Sequence, residues 1–167
     1  MLLKKIPGKR VAFTIFTFVL WLSLTLLLTA CSDSNDLISG QQLQIYIRSE
    51  ADLAKIGTET SHPLSGTYLL ENDISLANWL PIGDETYPFT GIFDGNGRTI
   101  TLNSFAVAAL SEKNYLGIFS YVKGTSARAV IKNLAIVSSV NAASETASAI
   151  GLVAGYAETA EIENITL

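Results

Sequence analysis

Ile131-Lys132-Asn133-Leu134-Ala135-Ile136 returns 31 residues later as Ile162-Glu163-Asn164-Ile165-Thr166-Leu167, with the Asn and its apolar neighbours kept in place. A second signal runs beside it. The step Gly-apolar-apolar occurs as Gly91-Ile92-Phe93, Gly117-Ile118-Phe119 and Gly151-Leu152-Val153. Each copy follows an aromatic or apolar pair: Phe89-Thr90, Tyr115-Leu116 and Ala149-Ile150. Periods near thirty residues, built from short β runs with Gly or Asn at the bends, predict layers that cannot bury their apolar faces alone and cover them by stacking. The expectation is an all-β chain, a repeat β-solenoid. A β-sandwich would account for the strands but not for the recurring Gly and Asn positions.

The segment before the repeats reads as a cap. Leu43-Gln44-Ile45-Tyr46-Ile47 alternates as a strand does, and Ser49 to Ile56 reads as one short helix. Ser49 is placed to cap it, Gly57 to stop it, and Leu53 and Ile56 fall on its buried face. After Gly57 the pattern turns to β: Thr67–Leu70, Asp73–Leu76, Trp79–Gly83, Phe89–Phe93, a turn at Asp94-Gly95-Asn96-Gly97, then Arg98–Leu102.

The opening residues have another character. Hydrophobic residues make up 49% of the 167, and the excess lies in Val11 to Ala30, which carries no charge, behind Lys4, Lys5, Lys9 and Arg10. A basic start followed by an apolar run is the pattern of a secretion signal. Beyond Cys31 only seven of the 11 Lys and Arg remain against all 15 Asp and Glu, a net charge of −8. That balance excludes a basic nucleic-acid surface. One Cys excludes a disulfide framework, and one His argues against a Ser-His-Asp triad.

Leu28-Thr29-Ala30-Cys31 resembles a bacterial lipobox, an apolar residue and two small ones before the chain's only Cys. The resemblance implies cleavage between Ala30 and Cys31, acylation of Cys31 and anchorage in the cell envelope, with Ser32 pointing to the outer membrane. Two or more acyl chains make such anchorage stable. The expected organisation is a signal peptide over 1–30, a lipidated Cys and tether over 31–42, a strand-helix cap over 43–66, and solenoid repeats over 67–167. No polar cap follows the apolar strand at 162–167, so the repeats are expected to be incomplete there or covered by a partner.

Gly151-Leu152-Val153-Ala154-Gly155-Tyr156, followed by Ile162-Glu163-Asn164, resembles the GLUG motif of bacterial surface proteins. Trp79–Gly83 and Phe89–Ile100 resemble the segment that precedes such repeats. The copy at Gly117 departs from the pattern, with Ser120-Tyr121 where Gly-Tyr is usual. The resemblance implies right-handed parallel β-helical repeats in an adhesin-like protein that binds a glycan, a host protein or another cell-surface ligand. A carbohydrate-active β-helix, or the stalk of a larger surface hydrolase, is the alternative.

Few residues carry candidate chemistry. Trp79, Tyr87 and Phe89 could stack on sugar rings, or fill the core under a loop. Asp94 and Asn96, set between Gly95 and Gly97, have the spacing of a Ca²⁺ loop start, yet Arg98 stands where the third ligand would fall. A turn needing Gly is the simpler reading, and no resident metal or cofactor is expected. Asp73, Asp94 and Arg98 could serve a sugar-cleaving site, but they fall in separate segments. His62 reads as a solvated loop residue, and no catalytic set converges. Asn133 and Asn164 are expected to bond the backbone at stacked bends.

Overall fold

The computed structural model describes residues 43–106, 109, 114–140 and 147–167. Ala30, Cys31, the leader and the tether lie outside these residues. Among the described residues no helix is long and apolar enough to cross a membrane.

The fold is mostly β, and its strands pair in parallel. β1 (Gln44–Ile47), β2 (Thr67–Leu70), β4 (Ile92–Leu102), β7 (Ala129–Ser138) and β10 (Ala160–Thr166) lie side by side in that order, and β3 (Ile74–Leu76) pairs with the second half of β4. Two further pairs run alongside: β5 (Tyr115–Leu116) with β8 (Ala149–Ile150), and β6 (Phe119–Lys123) with β9 (Ala154–Glu158). The single bridges Trp79–Phe105, Ile82–Phe119 and Phe89–Val122 are parallel too. Sandwiches are built from antiparallel strands, so this pairing departs from them.

The 31-residue repeat is the pairing register itself. Ile131 lies opposite Ile162, Lys132 opposite Glu163 and Leu134 opposite Ile165. Tyr115 pairs with Ala149, 34 residues on, whereas Tyr121 pairs with Tyr156, 35 residues on. One extra residue therefore enters between Ile150 and Ala154, and it sets Ser120 level with Gly155. Ser120 is buried there, and its hydroxyl donates to the Tyr115 carbonyl at 2.8 Å.

The core is a stack of inward rings and aliphatic chains. Phe89 sits 4.7 Å from Phe119, which meets Phe93 at 5.5 Å, and Tyr68 adjoins Phe89 at 6.2 Å. All four are fully buried. At about 1.5–3 kcal/mol per large buried side chain, this stack supplies much of the drive to fold.

Two expectations need correction. The helix α1 is shorter than Ser49–Ile56 and covers only Glu50–Leu53, after which turns carry the chain to Ile56. Its cap is as read: the Ser49 hydroxyl accepts the Asp52 N–H at 3.2 Å, and Leu53 and Ile56 are buried. Asp94–Gly97 is not a turn between strands but a bulge inside the continuous strand β4. Asp94 faces Lys132 and Arg98 faces Leu134, so three residues of β4 stand against Asn133 alone. Asn96 (φ 52°) and Gly97 (φ 69°) take up the left-handed backbone, while Gly95 lets the strands close: a Cβ there would lie 2.6 Å from the Asn133 carbonyl.

Candidate functional site

Beyond β3 the chain leaves the main sheet. Asn78 adopts a left-handed backbone (φ 56°), and its N–H donates to the Ser104 hydroxyl at 2.9 Å. Trp79 follows with its ring buried and its indole N–H donating to the Ile118 carbonyl at 2.9 Å. Ile82 ties the segment to β6, since its carbonyl accepts the Ser120 N–H at 2.7 Å. Gly83 (φ 76°) then turns the chain outward. One Asp84 carboxylate oxygen accepts the N–H groups of Thr86 and Tyr87 at 2.9 and 2.8 Å, an Asx turn that presents Tyr87 to solvent at 68% exposure.

This segment and the α1 region enclose a cleft of about 760 Å³. Ala51, Ala54 and Ile56 form one wall, and Trp79, Pro81, Ile82 and Tyr87 contribute to the other. Leu80 and Tyr87 are exposed at the rim. Glu50 joins the walls, one carboxylate oxygen accepting the Ala77 N–H at 2.9 Å. Glu50 and Asp84 line the space, and no Lys or Arg does. An apolar pocket with a few polar oxygens suits an uncharged ligand with a flat apolar face and hydroxyl donors.

The three aromatic candidates part company here. Tyr87 is exposed and Trp79 lines the cleft, but Phe89 is withdrawn from any ligand by its contacts with Phe119 and Tyr68. The reason is its bridge to Val122, which turns Phe89 into the core. His62 is also not a solvated loop residue. It is half-buried, stacked on Tyr68 at 6.4 Å, with Nδ1 2.8 Å from the Ser61 hydroxyl.

Asp94, Asn133 and Asn164 form a side-chain ladder rather than bonding the backbone. The Asn164 amide donates to Asn133 Oδ1 at 2.7 Å, and the Asn133 amide donates to Asp94 Oδ1 at 3.0 Å. Asp94 Oδ1 also accepts the Asn96 N–H at 2.9 Å, and Lys132 Nζ stands 3.7 Å from Asp94 Oδ2. Asp73 accepts the Thr99 N–H at 2.8 Å at the neighbouring bend. Among the described residues no group of three or more His, Cys, Asp and Glu is placed to hold a metal ion.

A tyrosine cluster escaped the sequence reading. Tyr115, Tyr121 and Tyr156 meet with ring centroids 4.6–5.5 Å apart. The signal was present, since Tyr121 and Tyr156 each follow a Gly-apolar-apolar step. Burial chiefly, and then the nearby Tyr156 and Glu158, push the Tyr121 phenol up to about 12.

No protein-family model, curated protein or solved structure matches the chain.

Proposed function

We propose that this chain is a lipid-anchored bacterial envelope protein whose stacked parallel strands form a β-solenoid and whose cleft at Trp79 and Tyr87 binds neutral glycans. The cleft carries the binding reading: an exposed Tyr ring and an apolar wall beside Glu50 and Asp84, with no basic residue in the lining. Sugar rings offer an apolar face and hydroxyl donors, which match that lining. The strand order β1-β2-β4-β7-β10, with every pairing parallel and the repeats in register, supports the solenoid. The anchor rests on Leu28-Thr29-Ala30-Cys31, with Ser32 favouring the outer membrane, and the adhesin-like role rests on the resemblance to GLUG repeats.

The test uses the full-length chain purified from membranes in detergent, screened against neutral and acidic oligosaccharides. Neutral sugars should bind, and Tyr87→Ala should weaken them about tenfold with the melting temperature unchanged. No neutral sugar bound at millimolar concentration, or binding indifferent to Tyr87→Ala, overturns the cleft reading. Shortened products released from a polysaccharide would make the protein an enzyme instead. Intact mass decides the anchor: a diacyl or triacyl adduct on a chain starting at Cys31 supports it, and an unmodified Met1 start refutes it.

A further inference from the structure

β10 hydrogen-bonds to β7 and to no other strand, so one of its edges is open. Three observations describe what that edge is shaped to receive. The first is burial. Tyr68, Phe93, Ile131 and Ile162 occupy one register position across successive strands; the first three are fully buried, whereas Ile162 is 42% exposed. The opposite edge strand, β1, differs, for its Ile47 is fully buried.

The second is charge. At the next position Asp94, Lys132 and Glu163 follow one another across the sheet, acidic, basic, acidic. A strand laid on β10 meets Glu163 directly, and opposite charges facing each other across strands stabilise while like charges destabilise. The third is the amide ladder. It runs from Asp94 through Asn133 to Asn164, which is exposed and holds the same left-handed backbone as Asn133 (φ 52° and 55°). Another Asn amide would continue it by donating to Asn164 Oδ1.

We propose that the open edge of β10 takes up a parallel strand from another polypeptide, carrying an aliphatic residue, then Lys or Arg, then Asn, then a second aliphatic residue, opposite Ile162, Glu163, Asn164 and Ile165. β7 already shows this pattern as Ile131-Lys132-Asn133-Leu134 on the other side of β10. Recognition is by strand addition, in which backbone bonds supply affinity and alternate side chains supply specificity. A second copy of this chain fits poorly. Its β10 would set Glu161 and Glu163 against their like, and its β1, docked in the same order, would bring Tyr46 to Glu163 and Ile47 to Asn164.

The probe is a synthetic peptide of the Ala129–Ser138 sequence with solubilising termini, titrated into the full-length chain in detergent. Saturable binding is expected, with slowed hydrogen exchange confined to the amides of Ala160–Thr166. Glu163→Lys should weaken it at least about threefold, and a peptide with Glu in place of its Lys should bind the Glu163→Lys chain better than the parent chain. Glu163 is exposed, so this variant retains the fold. Equal binding of a scrambled peptide, failure of the charge swap to restore binding, or a β10 edge already covered in a homodimer would each overturn the proposal.

Discussion

Asn164 donates its side-chain amide to Asn133 Oδ1 at 2.7 Å across 31 residues of sequence, and both residues hold a left-handed backbone. The bond joins two layers at the point where each strand bends. Asn tolerates that backbone better than other residues with a Cβ, and its amide is both donor and acceptor.

Asn133 is the middle of the ladder, so removing it breaks both bonds. Asn133→Ala should destabilise the chain by about 2–4 kcal/mol, the sum of two lost hydrogen bonds and the backbone penalty. Asn133→Gly keeps the bend and should recover about 1 kcal/mol of that loss. Urea midpoints of the two variants separate the terms.

Ile131 and Ile162 test whether burial or register position sets stability. Ile131→Ala leaves a cavity in a filled core and should cost about 2–5 kcal/mol. Ile162→Ala, at the same register position but 42% exposed, should cost less than about 1.5 kcal/mol. Equal losses in thermal melts would show that the β10 edge is covered in solution.

Gly95 and Gly97 are needed for different reasons. Gly95→Ala drives a methyl against the Asn133 carbonyl and should cost about 3 kcal/mol, because backbone has to move. Gly97→Ala meets nothing within 4 Å and bears only its positive φ, about 1–2 kcal/mol. Chemical denaturation should rank them in that order.

Alkali should weaken the fold through tyrosine. Burial pushes Tyr121 up to about 12 and raises Tyr68 as well, while an unfolded phenol titrates near 10. Below pH 10 both states hold these protons, so the stabilisation is complete. Above it the unfolded state releases them first, and stability falls as pH rises towards about 12. Tyr121→Phe should flatten that fall, read as urea midpoints between about pH 9 and 11.

The repeat was legible because identical positions in successive layers meet the same neighbours, so Ile-x-Asn recurs at the pairing distance itself. The Ser49 cap was legible because it is local chemistry. The bulge at Asp94–Gly97 was not: Asp-Gly-Asn-Gly has the same local preferences in a turn, and only pairing with β7 keeps the strand continuous. The cleft was legible in part. Trp79 and Tyr87 drew notice as neighbouring aromatics, but a bridge to Val122, 33 residues on, is what sends Phe89 inward. Nothing local to Phe89 distinguishes it from Tyr87.

The sheet order β1-β2-β4-β7-β10 rises steadily along the chain, each strand resting on one made earlier. No strand in that path awaits a later segment for its first pairing. A nascent polypeptide emerging from a ribosome or a translocation pore could therefore fold vectorially, each finished layer acting as the template for the next. Such a molecule needs no closing stroke from its C-terminus, and an interruption during synthesis would leave a shorter stack rather than an unfolded one.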